Sequence, residues 1–518
     1  MTLREKILKT FIVTIREINT HGGPKEFFEK YPVGGMYYGE YDVLYDENGF
    51  EIGTATSFDR LNECKKYSKN KLLVCADYVS IRGQTAKSSQ ASLGASRNPE
   101  NAYNYGKSIG MQMNDKGVDW VLGPSIDMCF DHLMYLTAIS DSPLVTAEIY
   151  REVVRGIQEQ GVCATVKHFP GLGTNFVNMH IGPGANVLPF DEWMATYGYT
   201  YKEMFKENVM SVMTTHVSLK SYDNETSEGF YPIATFSEKL TTKLLKEELG
   251  FKGAVVTDAL IMGGMATGNL VDETVKAFKA GADLLLWPPV EAAEKIEDAI
   301  LNGEIPMSRL DDALARIERM EKFRNEALKN QAFDKPDKDF VNKTLFEIAE
   351  QGICLLKNEI GLLPLNKEKY KKVLIVDATQ NENLSKGSSI LAREFENAGI
   401  SAEVRRDIYD VPSRVCWQAD IDKLQSRYDL VLFHLDAEFA TEWSVPHMLI
   451  WASHLFDKSK KIIVNCRSPY FAVDYFPEDP TFVEMNISIN ETTAKMLVDR
   501  LTGKKEFTGK CLLTKYNR

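Results

Sequence analysis

The sequence predicts an α/β protein: an N-terminal (β/α)8 barrel followed by a smaller doubly wound α/β sandwich domain. Three observations carry this. The 518 residues exceed what one hydrophobic core organises. From about residue 30 to 290 one unit repeats, a short β-branched run, a loop and a longer amphipathic helix, which is the pattern of parallel strands joined by helical crossovers. After a polar, proline-containing stretch, QAFDKPDKDF, a second alternation of strands and helices begins. The expected layout is a barrel over residues 1–330, a linker and connecting helix over 331–368, and the second α/β domain over 369–518.

Taken in order, MTLREKILKTFIVTIREINT alternates charged and apolar residues at helical spacing and reads as a first amphipathic helix. It has no continuous apolar stretch ahead of a small-residue cleavage site. Seven strand candidates follow: VGGMYY from Val33, KLLVCA from Lys71, DWVLG from Asp119, VCATV from Val162, SVMTT from Ser211, GAVVT from Gly253 and DLLLW from Asp283. Seven units with room for an eighth fit a closed barrel better than an open sheet. The clearest helix is SEKLTTKLLKEELG, with Ser237 as N-cap and Gly250 as its stop. Beyond the linker, EIAEQGICLLKNEIGLLPLN reads as a helix, an extended segment and a turn. The strands KKVLIVDA, YDLVLFHLD, KKIIVNCRS and TFVEMNI come next, then the helix ETTAKMLVDRLTG. No GxGxxG or P-loop follows the first of these strands, which disfavours nucleotide binding.

Composition narrows the function. Hydrophobic residues at 44% and charged residues at 26% describe a globular chain. A net charge of -12 without a basic patch argues against nucleic acid and anionic membrane as partners, leaving a small ligand. No stretch approaches the roughly 20 apolar residues of a membrane span. The eight cysteines are scattered without C-x-x-C spacing, so we expect a reducing, cytoplasmic location with cysteines serving as small buried residues. No His/Cys/Asp group has metal-ligand spacing, and neither a metal nor another cofactor is expected. Nothing in the sequence sets the oligomeric state.

In a barrel of this kind reactive residues sit just after the strands, on the carboxyl-terminal face. Asp77 follows KLLVCA, Lys167 and His168 follow VCATV, His216 follows SVMTT and Asp258 follows GAVVT. Any one of them also suits the cap of a following helix. Together they place polar and charged groups from four strand ends on one rim.

At this point the motifs become specific. KHFPG at 167–171, MTTHV ending at Val217, PIATFS at 232–237, ELGFKGAVVTDALIM at 248–262, GADLLLW at 281–287 and LLKNEIGLLPL at 355–365 resemble glycoside hydrolase family 3, above all its two-domain β-N-acetylglucosaminidase branch. Order and spacing hold over nearly the whole chain. The resemblance implies a retaining mechanism, in which a carboxylate attacks the anomeric carbon and an acid/base first protonates the leaving oxygen and then activates water. It places the nucleophile at Asp258 in VVTDAL. In the branch the acid/base is a histidine on the loop after KHFPG, held by an aspartate in a D-S-H triplet; here the triplet reads Asn178-Met179-His180. Asn178 can accept the imidazole ring proton but brings no charge to stabilise the imidazolium. Asp77, Lys167, His168 and His216 match sugar-binding positions.

Departures fall on the same rim. HFPGLGT replaces HFPGHGD, putting Leu172 and Thr174 where a histidine and an aspartate stand. Val79 replaces the glutamate of D-x-E-G-G, Thr137 the arginine of R-x-F-x-x-D-P, and Ala259 the second acid after the nucleophile. One good charged hydrogen bond is worth roughly 1.5–3 kcal/mol, so these losses imply a pocket shaped for a different glycon. In HLDAEFATEW, Asp436, Glu438 and Glu442 offer a second-domain acid/base, or simply a solvated loop and helix start. Three readings follow: a retaining β-glycosidase acting on a small carbohydrate such as an N-acetyl-β-glucosaminide, a glycoside phosphorylase, and a noncatalytic saccharide-binding protein.

Overall fold

The computed structural model describes residues 1–39, 43–45, 51–54, 58–77, 90–130, 137–174, 177–226, 229–265, 268–406, 418–437 and 445–517. The chain divides into two compact units. The first comprises residues 1–79, 102–128 and 147–337, and the second 80–101, 129–146 and 338–518.

Eight parallel strands form the first unit: β1 (Phe11–Val13), β2 (Gly35–Tyr37), β3 (Leu73–Asp77), β4 (Trp120–Leu122), β5 (Cys163–Phe169), β6 (Ser211–Thr214), β7 (Ala254–Thr257) and β8 (Leu285–Leu286). They hydrogen-bond in the order β7-β6-β5-β4-β3-β2-β1-β8. The ring closes between β7 and β8 through a parallel Val256–Leu284 bridge and a Thr257 amide donating to the Leu284 carbonyl at 3.0 Å. This is the (β/α)8 barrel.

The eighth strand is β1, and it corrects the sequence reading. Residues 1–20 are not one helix but a helix (Leu3–Leu8), a strand and a second helix (Ile15–Thr20). The physical reason is local. Phe11, Ile12 and Val13 are fully buried and have no polar face to turn to solvent, so the run suits a barrel strand enclosed on both faces. Two N-caps then set separate helix starts. Thr2 forms a capping box with Glu5, and the Thr14 hydroxyl accepts from the Glu17 amide.

Side chains from the strands, including Trp120, Cys163, Met213 and Leu284, fill the barrel together with Ile317 and Met320 of the helix Met307–Asn330. That helix closes the amino-terminal end. Its Arg316 donates to the Gly253 carbonyl at 2.7 Å and its Arg324 to Asp119 Oδ1 at 2.9 Å. Asp119 and Asp283, each just ahead of a strand, accept the amides of Val74 and Val255 from neighbouring strands and pair with Arg324 and Lys246 respectively. Floor and strands are thereby tied, while the carboxyl-terminal ends remain available to ligand. The predicted helix after Ser237 is present as Lys239–Glu248, wound mostly with i→i+5 bonds; the Ser237 hydroxyl accepts from the Leu240 amide at 3.0 Å, and Gly250 ends the segment at φ +76°.

The second unit holds β9 (Cys354–Asn358), β10 (Lys372–Thr379), β11 (Ser401–Arg405), β12 (Leu430–Asp436), β13 (Lys461–Asn465) and β14 (Thr481–Glu484) in the order β9-β14-β13-β12-β10-β11. All neighbours are parallel except β9 with β14. Apolar clusters cover the two faces, one around Val373, Leu432 and Val464 and the other around Leu374, Phe433 and Ile463. This is the doubly wound domain, with β11 as a strand the sequence did not announce: SAEVR is half-buried and carries charged side chains. Residues 90–101, from within the barrel half of the sequence, pack here. Ser92 donates to the Asn486 carbonyl at 2.9 Å.

Candidate active site

The carboxyl ends of the barrel strands surround a cavity of about 700 Å³. Its wall includes Tyr37, Asp77, Lys167, His180, Asp258 and Trp287. Residues far apart in sequence thus converge as strand ends, as the barrel geometry requires.

Asp258 follows β7 and is 9% exposed. Its Oδ2 accepts from the Thr215 hydroxyl at 2.7 Å and its Oδ1 from the Ala259 amide at 2.9 Å. Burial pushes its pKa up, but the fields of His168, His216 and Lys167 and the Thr215 hydrogen bond prevail and hold it below the ordinary carboxylate value. His216 is itself kept toward its neutral form by burial. Asp258 is an ionised carboxylate on the wall of a sheltered cavity, the state a nucleophile needs.

Lys167 and His168 lie within β5, near its carboxyl end. Lys167 Nζ donates to Asp77 Oδ1 at 2.8 Å, so the two expected sugar ligands form one ion pair on the wall. His168 instead turns to Asp127, with Nδ1 2.6 Å from Oδ2. Asp127 is fully buried and also accepts the Leu172 amide at 2.7 Å, the His168 amide at 3.2 Å and the Ser125 hydroxyl at 2.9 Å. It is a positioning residue that the sequence reading passed over, although an acid shortly after DWVLG obeys the same strand-end rule. His216 is fully buried. Its Nε2 bonds the Ala259 carbonyl at 3.1 Å, which can only accept, so its Nδ1 accepts from the Thr235 hydroxyl at 2.9 Å. Both nitrogens are engaged with protein. His216 braces the backbone after Asp258 from behind the cavity and is not on its wall.

The histidine loop reaches the same cavity. His180 Nδ1 is 2.7 Å from Asn178 Oδ1, and the same oxygen accepts the His180 amide at 3.0 Å. Because an amide oxygen only accepts, Nδ1 carries the hydrogen and Nε2 is the nitrogen with the lone pair. The loop is seated by two backbone bonds, Gly263 N to the His180 carbonyl and Gly264 N to the Met179 carbonyl, each at 3.0 Å. A Cβ on Gly264 would fall 2.5 Å from the Met179 carbonyl oxygen, and one on Gly263 2.7 Å from that of Ile181. Both glycines are needed for this close approach.

Several departures have a structural role. Leu172 is 9% exposed and its carbonyl accepts from the Tyr197 hydroxyl. The Thr174 hydroxyl accepts the Val187 amide at 3.2 Å and donates to the Ala185 carbonyl at 3.4 Å. This stretch is held by apolar packing and neutral bonds. Ala259 lines the cavity. Thr137 belongs to the second unit, and Val79 lies outside the described residues. Asp436 is buried in the second unit with Arg467 Nε 2.5 Å from its Oδ1, whereas Glu438 and Glu442 lie outside the described residues.

The cavity also includes Arg16 and Glu17 after β1, and Trp287 after β8. Reading residues 1–20 as one helix hid the first two. Trp287 stands edge-on to Tyr37, ring centroids 5.1 Å apart, and gives the wall an aromatic surface of the kind sugars stack on.

The carboxyl-terminal rim of the barrel thus carries a carboxylate, cations and an aromatic surface, a combination suited to carbohydrate chemistry. The chain belongs to glycosyl hydrolase family 3, whose N-terminal-domain model matches residues 2–320. It is 26% identical over 471 residues to a beta-N-acetylglucosaminidase/beta-glucosidase of Cellulomonas fimi, a match covering 85% of this chain and 82% of that one. With a beta-hexosaminidase A of Pseudoalteromonas piscicida it shares 26% identity over 379 residues, 66% of this chain and 62% of the other. Among solved structures, a beta-glucoside phosphorylase, BglX, bound to 2FGlc superposes with a TM-score of 0.81 at 21% identity, covering 100% of this chain and 95% of that one. A family 3 beta-N-acetylglucosaminidase from Paenibacillus sp. str. FPU-7 gives a TM-score of 0.76 at 20% identity, covering 99% of both chains. At these identities the likeness of structures is one of fold.

Proposed function

We propose that the protein is a retaining exo-β-glycosidase acting on N-acetyl-β-glucosaminides or related β-linked sugars, with Asp258 as nucleophile and His180 as acid/base. The observation that carries this is that the ionised Asp258 carboxylate and the His180 imidazole line one cavity, the second with its Nε2 available. Asp258 attacks the anomeric carbon while protonated His180 gives its Nε2 proton to the leaving oxygen. His180 then takes a proton from water, which displaces Asp258 and restores the starting enzyme. Asn178 orients the ring through Nδ1. Asp77 and Lys167 hold ring hydroxyls, and Trp287 supplies the stacking face. His168 and His216 keep this rim in place.

A second reading, phosphorolysis, is favoured by one feature: the imidazole is held by the uncharged Asn178, so the side chain that orients it does not repel an incoming phosphate. One assay separates these. Nitrophenyl β-glycosides of glucose, N-acetylglucosamine and xylose are incubated with and without phosphate, using wild type, Asp258→Asn and His180→Ala. Free sugar supports hydrolysis and a sugar phosphate supports phosphorolysis. Turnover that survives Asp258→Asn overturns both, and saccharide binding without any turnover leaves the noncatalytic reading.

A further inference from the structure

The second unit contains a polar cluster that the barrel chemistry does not use. His434 and Asp436 alternate on β12 and so face the same side of the sheet. In the β12–β13 register His434 pairs with Val464 and Leu435 with Asn465, which puts Cys466, one residue past β13, beside Asp436 on that face. The Cys466 amide fixes this position by donating to the Leu435 carbonyl at 2.8 Å. His434 and Asp436 are 0% exposed and Cys466 4%. A ligand atom from each lies within 4.8 Å of the others.

Two of these side chains are half-satisfied in a complementary way. His434 Nδ1 is bonded to the Ser388 hydroxyl at 2.7 Å, and Asp436 Oδ1 to Arg467 Nε at 2.5 Å. The remaining atoms, His434 Nε2 and Asp436 Oδ2, are buried and have no hydrogen-bond partner among the described residues. A buried imidazole nitrogen and a buried carboxylate oxygen without partners are costly, and a cation between them satisfies both when the ring carries its hydrogen on Nδ1 and donates it to Ser388. Cys466 is a free thiol.

We infer that His434, Asp436 and Cys466 form a buried site for a divalent transition metal of the zinc class. One imidazole nitrogen, one carboxylate oxygen and one sulfur make a donor set of mixed hardness that suits zinc better than magnesium or calcium. Ser388 and Arg467 orient two of the ligands from behind, as outer partners of metal sites do. On binding, the thiol proton leaves to solvent and the thiolate becomes the third ligand. Asp377 faces the His434 ring from β10, where the two residues are paired in register, and it is held by the Ser385 hydroxyl. The site escaped the sequence because Cys466 comes from the next strand, about 30 residues beyond Asp436, and matches no ligand spacing along the chain.

The test uses the full chain, stripped with chelator and titrated with Zn2+ alone and with Co2+ alone. The proposal expects one equivalent of zinc retained per chain after dialysis, and a thiolate-to-cobalt charge-transfer band that saturates at one equivalent. Cys466→Ala should lose that band, and Ser388→Ala, which keeps all three ligands, should bind roughly 10–100-fold more weakly. Circular dichroism monitors folding, but wild type alone can decide: no retained zinc and no charge-transfer band overturns the proposal. So does a band that persists in Cys466→Ala.

Discussion

At the scale of single residues, two groups must be held in the protonation states their roles need. Asp258 is buried yet ionised because cations and a hydroxyl bond outweigh desolvation. With its pKa below the ordinary value, the acid limb of kcat/KM should lie below the usual carboxylate range; Lys167→Met removes part of that field and should move the limb to higher pH. An acid limb that stays put in Lys167→Met would show that Asp258 does not set it. At His180 the partner is the neutral Asn178. Asn178→Asp replaces a neutral acceptor on Nδ1 with a charged one, so turnover of a substrate with a poor leaving group, which leans most on the acid, should change more than turnover of an activated nitrophenyl glycoside. Equal effects on the two substrates would contradict the role given to His180.

At the scale of elements, the histidine loop depends on its platform. Gly263 and Gly264 follow the strand that carries Asp258, and their amides hold the loop that carries His180. Gly264→Ala should push Met179 and His216 away, lowering kcat by about 10²-fold through lost alignment; equal kcat in this variant contradicts the platform role. Elements also show what was legible beforehand. GAVVT, VCATV and KLLVCA are largely β-branched or apolar runs, each followed at once by a charged residue: Asp258, Lys167 and Asp77 respectively. In contrast, β1 is three residues embedded between two helical stretches, and the charged residues on either side imposed a helical period on the whole segment. Losing β1 lost Arg16 and Glu17 as well. Roles set by partners were equally hidden: His168 and His216 look alike with Lys167 as strand-end polar groups, but only the fold reveals that Asp127 and Thr235 engage their rings.

At the scale of the whole molecule, the two units illustrate two ways of burying charge. The barrel floor gathers Lys246, Asp283, Arg309, Asp312 and Arg316 around the amino-terminal ends of β7 and β8. Burial raises the Asp312 pKa, but Lys246 and Arg316 overcome it and take it down to about 2. A depressed carboxylate of this kind stabilises the fold above its unfolded pKa near 4, and that contribution disappears as pH falls from about 4 toward 2. Melting temperatures over this window should therefore fall more steeply for wild type than for Asp312→Asn; parallel curves contradict the assignment. The doubly wound unit divides its buried charge, with Lys461 paired to Asp479 at the start of β13 and Asp436 paired to Arg467 at the carboxyl end of β12, where open α/β sheets place ligands.

The most direct test of the central claim is to find where a substrate becomes attached. A β-glycoside with fluorine in place of the 2-hydroxyl and a good leaving group slows release of the sugar, and intact-mass spectrometry followed by peptide mapping then locates any adduct. With Asp258 as nucleophile, one sugar per chain is expected on the peptide containing Asp258, absent in Asp258→Asn. An adduct on another residue, or steady turnover of the unmodified glycoside by Asp258→Asn, would contradict it.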